Sequence, residues 1–315
     1  MFGAIMRKFL LLFVLTVALI ALPAPTQADS HARQASPSPL ALLYQYYTAI
    51  NMGDYATAYN LWINPPRSYE QFAGGFAVST HIVPYFNPLT GTAAAGQVRS
   101  VLLAYRADGQ VESYAGCFDL GLSGANWRIT GSTFRLLTTG SPPSNAAIST
   151  LLAQGCSENS LSATTVYDPA DQMMVNYFDL INRENYAFAY SLWLSPLPGA
   201  QPNGGPPQDY RRPFDRFVAG YNDTAYVYVY PGDYLFMGAA AGKPYLQGVL
   251  PLVLVSQQTD GTFRTYNGCY VIGTLPSGGL GVVNGRFYLT SSAEPNASDI
   301  LSRVNIDCVA LNIPN

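Results

Sequence analysis

The sequence predicts an α+β protein made of two tandem domains, each with three N-terminal helices followed by an antiparallel sheet. A segment of twenty residues occurs twice, first as Tyr46 to Pro65 and again as Tyr177 to Pro196, with ten identical positions. In each copy the apolar residues follow a helical period first and a strand period afterwards. Each copy also carries two cysteines, and both pairs are 39 positions apart. A duplicated domain accounts for all three observations.

The helical half of the first repeat is predicted to contain three helices. The first extends from about Pro39 to Asn51, with its apolar residues on one face. The second begins after Asp54, which stands where an N-cap would accept the first free amide protons, and continues to Trp62. Ser68 begins a capping box that opens the third helix.

The second half of each repeat is predicted to be a sheet. Its segments are rich in β-branched, aromatic and aliphatic residues. Asp108-Gly109 and its counterpart Asp260-Gly261 have the composition of tight hairpin turns. The predicted strands of the first repeat are His81 to Phe86, Val98 to Arg106, Val111 to Leu122 and Trp127 to Leu137.

The first 28 residues are predicted to be a cleaved signal peptide. Arg7 and Lys8 precede the apolar run Phe9 to Leu22, and small residues follow before Asp29. That run is shorter than a membrane span, although an uncleaved N-terminal anchor is the alternative. Residues 29–38 are then a flexible leader, and the mature protein is secreted or extracytoplasmic.

The domain boundaries follow from the repeat. The first domain is predicted at 39–156, a Ser/Thr-rich linker at 157–166 and the second domain at 167–315. The second repeat is longer by 21 residues, placed at 199–208 and around 226–241. Inserted loops are where duplicated domains acquire separate functions.

Composition and charge exclude several classes of partner. Only 11% of the residues are charged and the formal net charge is −3, which gives no electrostatic footprint for nucleic acid. No second apolar run approaches the length of a membrane span, so none is predicted in the mature chain. The expected partner is an unidentified extracytoplasmic ligand, glycan or protein.

The four cysteines are predicted to form one disulfide within each repeat, because an exported chain with equal spacings favours that pairing. Such a bridge would fasten the terminal helix to the sheet and stabilise the fold by roughly 4 kcal/mol in the chain-entropy model. A metal site is the alternative, but the chain has two histidines and no CxxC pair, so neither a metal nor a cofactor is predicted. The predicted pairs are Cys117 with Cys156 and Cys269 with Cys308.

The repeated segment carries the motif I-N-x-x-x-Y-x-x-A-Y-x-L-W, followed by aromatic-x-x-F-x-x-G-[FY]. With three helices before a sheet, this pattern resembles the nuclear-transport-factor-2-like superfamily over nearly the whole mature chain. The resemblance implies two cone-shaped domains, each with a curved antiparallel sheet. The short disulfide-tethered C-terminal helix of each domain is predicted from the helix-like stretches Ala146 to Cys156 and Ser298 to Cys308. That superfamily includes ketosteroid isomerases, SnoaL-like polyketide cyclases and exported modules of unknown role, so the fold alone does not decide the activity.

Two residues are candidates for catalysis, since an isomerase of this fold uses an acid or base inside the cone. Asp119 lies on a predicted strand in register with Cys117, and its counterpart in the second repeat is Val271. His81 opens the first strand, aligned with Ala225, where a surface or capping role is the simpler interpretation. No set of acid, base and polarising group matches the isomerase arrangement.

A row of three tyrosines in the second repeat is the candidate binding site. Tyr226, Tyr228 and Tyr230 alternate along a predicted strand and therefore share one face. Such a row stacks on sugar rings or apolar ligands, but it can equally cover a core.

The repeated polar residues are predicted to be structural. Asn51 and Asn182 are expected to cap their helices or bond backbone groups of the helix turn. Trp62 and Trp193 are expected to anchor the core, with the indole N–H bonded to a backbone carbonyl.

The predicted function is that of an exported, non-catalytic binding or interaction protein. One alternative is a small-molecule isomerase or cyclase of the ketosteroid-isomerase or SnoaL type. Another is an architectural spacer of the cell envelope.

Overall fold

The computed structural model describes residues 38–156, 168–194, 211–239, 246–274 and 278–308. Within these ranges the protein is α+β, with two antiparallel sheets and eight helices. The predicted signal peptide, the leader before Ser38, the linker 157–166 and the inserted loop 199–208 lie outside the described residues.

The helices of the first repeat begin where the sequence predicts caps. Asp54 accepts a hydrogen bond from the backbone N–H of Thr57 at 3.0 Å, and Ser68 accepts one from Gln71 at 3.4 Å. The second helix ends before Trp62, which forms a bridge to Ile129 instead of continuing the helix. The helices are α1 (Pro39–Asn51), α2 (Tyr55–Tyr59), α3 (Tyr69–Phe76) and α4 (Asn145–Ala153).

The sheet of the first repeat has the order β1-β3-β4-β5, with β2 paired to β3 and β6 to β4. The predicted strand 127–137 is two strands, because Thr133 and Phe134 separate segments that pair with different parts of β4. The strands are β1 (Ser79–Phe86), β2 (Thr90–Gly91), β3 (Ala95–Arg106), β4 (Val111–Ser123), β5 (Asn126–Ser132) and β6 (Arg135–Gly140).

The described part of the second repeat has the same order of elements. Its sheet runs β11-β10-β9-β7, with β8 paired to β9. The helices are α5 (Pro169–Asn182), α6 (Tyr186–Ser191), α7 (Phe214–Ala219) and α8 (Ala297–Arg303). The strands are β7 (Thr224–Pro231), β8 (Leu235–Ala239), β9 (Leu246–Gln258), β10 (Phe263–Thr274) and β11 (Leu280–Ser291).

The repeated asparagines join each first helix to the first strand of its sheet. Asn51 accepts from the backbone N–H of Ile82 at 2.7 Å and donates to its carbonyl at 2.9 Å. Asn182 makes the same two bonds with Val227, at 2.8 and 2.9 Å. The role is structural, as predicted, but the partner is a strand and not the helix turn. Ile82 and Val227 are therefore equivalent positions.

This equivalence corrects the alignment of His81 with Ala225. Because Ile82 corresponds to Val227, His81 corresponds to Tyr226. The strand registers agree, since His81 pairs with Tyr105 on β3 and Tyr226 pairs with Gln257 on β9. A shift in register lies just before these residues on both strands, which agrees with the correspondence.

Both predicted disulfides are confirmed. Cys117 of β4 is bonded to Cys156, just beyond α4, and the two Cα atoms are 5.5 Å apart. Cys269 of β10 is bonded to Cys308, beyond α8, with a Cα separation of 5.9 Å. Each bridge ties the end of a repeat to a central strand of its sheet.

One apolar cluster contains buried side chains from both repeats. It contains the core between α1 and the first sheet and extends into Val175 of α5 and into β7 and β9. Helices α4 and α8 also contact each other. The domain division at 157–166 stays a prediction, but separation of the repeats would expose this shared core to water. The second repeat contributes Tyr226, Tyr228, Tyr230, Val253, Val255, Phe263, Ala297, Ile300 and Val304.

Candidate functional site

The tyrosine row, Tyr226, Tyr228 and Tyr230 of β7, faces the first repeat. The three side chains are 3%, 1% and 0% exposed. Tyr228 donates its hydroxyl proton to the carbonyl of Tyr44 at 2.9 Å, and Tyr230 donates to the carbonyl of Pro84 at 2.9 Å. The row therefore covers a core between the repeats, the second of the two interpretations. It leaves almost no surface on which a ligand could stack.

His81 is buried, whereas the sequence predicted a surface or capping role. Its ring is 5% exposed and stacks on Tyr105, with centroids 4.5 Å apart. Its Nε2 has no hydrogen-bond partner among the described residues. Burial, and next the positive charge of Arg183, lower the pKa of His81 to about 3, so the ring is neutral near pH 7. The adjoining cavity is about 10 Å³, room for about one water molecule and not for a substrate.

Asp119 lies on the face of β4 that points away from α1, the same face as Cys117. Its neighbour Phe118 is buried against Tyr46 and Tyr47 of α1, and successive side chains on a strand point to opposite faces. The carboxylate accepts a hydrogen bond from the side-chain amide of Gln97 at 2.7 Å. The structure therefore brings neither catalytic candidate into a substrate-sized cavity.

A cavity of about 510 Å³ lies inside the second repeat, between helices α5 to α7 and the inner face of β9, β10 and β11. We call it the second-repeat cavity. Its volume is within the range of small-molecule sites. Most of its apolar wall is aromatic. The aromatic lining residues are Tyr177, Phe178, Tyr190, Trp193, Phe217, Tyr221, Tyr266, Tyr270 and Phe287.

Hydrogen bonds hold several of these rings in place. The indole N–H of Trp193 donates to the hydroxyl of Tyr177 at 3.0 Å, where the sequence suggested a backbone carbonyl. Tyr190 donates its hydroxyl proton to the carbonyl of Arg212 at 2.7 Å. Burial raises the pKa of Tyr221 to about 12, so this hydroxyl is protonated and can donate to a ligand.

Polar side chains form one end of the second-repeat cavity. With the side-chain amide of Gln258 turned to the orientation that satisfies both neighbours, its oxygen accepts from the hydroxyl of Ser256 at 2.6 Å and its nitrogen donates to the carboxylate of Asp223 at 3.2 Å. Asp223 also forms an ion pair with Arg264 at 3.0 Å, and both residues are exposed. Thr224 lies beside Ser256, with their hydroxyl oxygens 3.4 Å apart.

Positive charge predominates among the described lining residues. Arg211 places its guanidinium 4.8 Å from the centroid of the Tyr190 ring, within the range of a cation–π contact. Arg212 and Arg264 also line the cavity, whereas Asp223 is the carboxylate among the described lining residues. Three cations and one anion give this site a local charge opposite in sign to that of the whole chain.

In the first repeat, the residues at the positions that correspond to this cavity wall bind one another through an ion pair and a hydrogen bond. Strand registers align Arg106 with Gln258 and Glu112 with Arg264. Glu112 forms an ion pair with Arg106 at 2.7 Å and accepts a hydrogen bond from the hydroxyl of Tyr114 at 2.6 Å. The carboxylate thus draws together side chains whose counterparts border the second-repeat cavity.

The chain matches no protein-family model and no curated protein. The resemblance to nuclear-transport-factor-2-like domains therefore depends on the sequence motifs, and the candidate site depends on its geometry.

Two further kinds of feature are absent from the described ranges. No group of three or more His, Cys, Asp or Glu side chains there could hold a metal ion. No helix in the same ranges is both long and apolar enough to cross a membrane.

Proposed function

We propose that this chain is an exported, non-catalytic binding protein made of two cone-shaped nuclear-transport-factor-2-like domains, and that the second-repeat cavity binds a small molecule containing a ring. The observation that carries the proposal is the cavity of about 510 Å³ with its aromatic wall and polar end. The two disulfides are compatible with export, because such bonds persist in oxidising compartments.

The wall favours a ligand with a flat or puckered ring. Tyrosine and tryptophan faces contribute apolar contact area and offset stacking, while their polar atoms fix the orientation of the ligand. Trp193, Tyr221 and Tyr270 all line the cavity, so a bound ring can contact aromatic side chains from the helical side and from the sheet.

Binding without turnover is favoured by the placement of the carboxylates. An isomerase needs a buried acid or base beside the reacting carbon. Asp223, the carboxylate among the described lining residues, is exposed and paired with Arg264. Asp119 and His81 do not line the cavity.

The second repeat is favoured over the first because of the ion pair between Arg106 and Glu112. Their counterparts, Gln258 and Arg264, both line the second-repeat cavity. We therefore expect one ligand per chain and not one per repeat.

Fluorescence titration with N-phenylnaphthylamine, an uncharged aromatic probe, tests the proposal. Thr224 lines the cavity, and Thr224→Trp should fill part of it. Ser79 pairs with Arg106 as Thr224 pairs with Gln258, so Ser79→Trp is the matched control in the first repeat.

We expect one saturable site in the wild type, loss of binding in Thr224→Trp and unchanged binding in Ser79→Trp. Unfolding curves would verify that both variants fold. A wild type that does not bind the probe, or equal loss in the two variants, would overturn the proposal.

A further inference from the structure

We infer that the ligand of the second-repeat cavity is an anion, a ring-bearing molecule with one acidic group held by Arg211, Arg212 and Arg264. This inference rests on the proposed function of the same cavity, and it adds the chemical class of the ligand.

The charge of the residues that line the cavity is the first argument for an anionic ligand. Three arginines and one aspartate among the described lining residues leave an excess of positive charge in a chain whose formal net charge is −3. Arginine stays charged at any physiological pH, and its planar donors match the two oxygens of a carboxylate or the oxygens of a sulfonate or phosphate.

The position of two of the arginines is the second argument, since Tyr190 holds them at the wall of the cavity. Arg211 lies over the ring of Tyr190, and the hydroxyl of the same tyrosine donates to the carbonyl of Arg212. Tyr190 therefore fixes both neighbouring residues at the wall of the cavity. Burial raises the pKa values of Tyr221 and Tyr270, and the positive charge of Arg212 opposes this increase in part.

A difference in charge between equivalent positions of the two repeats is the third argument. The position of Arg264 is occupied by Glu112 in the first repeat, a reversal of charge between duplicated positions. Glu112 neutralises Arg106 within its own repeat at 2.7 Å. In the second repeat the partner of Arg264 is Asp223, and both side chains are exposed, so an acidic ligand can share the remaining guanidinium donors.

Binding of two probes with the same ring skeleton distinguishes recognition of the ligand's charge from recognition of its rings. Anilinonaphthalene sulfonate carries a negative charge, and N-phenylnaphthylamine is its uncharged counterpart. We expect the sulfonate to bind about tenfold more tightly at low ionic strength, the effect of one charge-assisted contact, and the difference to shrink as salt is added.

Arg212→Gln should weaken binding of the sulfonate about tenfold and leave the uncharged probe unchanged. Arg264→Gln is a second variant with the same expectation. Arg216→Gln is the control, because Arg216 is exposed on α7 and does not line the cavity. The mutated side chains at 212, 216 and 264 are exposed, so all three variants are expected to fold.

The outcomes are distinguishable. Equal affinity of the two probes for the wild type overturns the inference and leaves the proposed function standing. Absence of binding by both probes overturns the proposed function, and the inference with it. If Arg212→Gln and Arg216→Gln weaken binding of the sulfonate equally, the preference for the charged probe comes from the charge of the whole surface. That result also overturns the inference.

Discussion

Tyr85 and Tyr230 occupy equivalent positions in the two repeats, and their rings pack against each other with centroids 5.0 Å apart. Each lies three residues beyond the strand residue that the repeated asparagine holds, Ile82 in one repeat and Val227 in the other. Contact between equivalent residues is the mark of a two-fold interface. The duplicated halves of this chain therefore meet as the subunits of a symmetric dimer would.

Hydrogen bonds from half-buried groups give this contact its specificity. The hydroxyl of Thr48 on α1 lies 2.7 Å from the hydroxyl of Tyr228 and donates to the side-chain oxygen of Gln257 at 2.7 Å. Ser38 at the start of α1 donates to the carboxylate of Glu294. Separation of the repeats would break these bonds and expose the tyrosine row.

We expect Tyr230→Ala to lower the free energy of unfolding by about 3–5 kcal/mol, as large aromatic truncations in a core do. The side chain is fully buried and contacts Tyr44 and Tyr85. Urea denaturation measures the loss. Tyr288→Ala, at an exposed tyrosine of the same repeat, is the control and should change the free energy little. Equal effects of the two variants would show that the tyrosine row is not a core.

Cleavage of the chain between 157 and 166, at an introduced protease site, should leave the two halves bound to each other. The reason is the shared cluster, in which Tyr228 and Tyr230 of β7 are buried with Tyr44 and Tyr85. Size-exclusion chromatography without denaturant should give a single peak at the mass of the intact chain. Two separate folded halves would contradict the interface.

Acid should destabilise the protein through His81. Its folded pKa of about 3 is below the ordinary value of 6.5, so the unfolded chain binds the proton first as the pH falls. Stability from this group is present above about pH 6.5 and is lost between there and about pH 3. The charged groups beside it are Arg183 and, across the small cavity, Asp179.

The comparison for His81 is with His81→Phe, which keeps a ring to stack on Tyr105 but does not titrate. Between pH 7 and pH 4 the wild type should lose on the order of 3 kcal/mol more unfolding free energy than the variant. Identical pH profiles from urea denaturation would show that His81 is not buried in its neutral form.

Asp171→Asn should stabilise the protein at pH 8. Burial, and then the charges of Asp168 and Asp233, raise the pKa of Asp171 to about 8. Stability from this carboxyl is present below about pH 3.8 and is lost as the pH rises through the folded value. The variant should therefore melt a few degrees higher at pH 8 and no higher at pH 4. A lower melting temperature at pH 8 would show that the carboxylate is needed at the start of α5.

The elements with local signals could be predicted from the sequence. The caps at Asp54 and Ser68 depend on residues three or four positions apart, and the disulfides follow from equal spacing in a duplicated chain. The alternation of the tyrosine row was also visible. It could not show what the row faces, because a core face and a binding face have the same period.

The second-repeat cavity had no local signal. Its walls come from helices and strands between Tyr177 and Phe287, far apart in the chain, so only the tertiary structure brings them together. The burial of His81 depends in the same way on the other repeat, whose Arg183 donates to the neighbouring carbonyl of Thr80 at 3.0 Å. The replacement of Glu112 by Arg264 was a usable sequence signal, because the offset that relates Asp108 to Asp260 also relates these two residues.

The most direct test of the central claim is a crystal structure of the wild-type protein soaked with anilinonaphthalene sulfonate. The account predicts one probe per chain in the second-repeat cavity, with its rings against Trp193 and Tyr270 and its sulfonate at Arg212. An empty cavity, or a probe bound instead in the first repeat or on the outer surface, would contradict it.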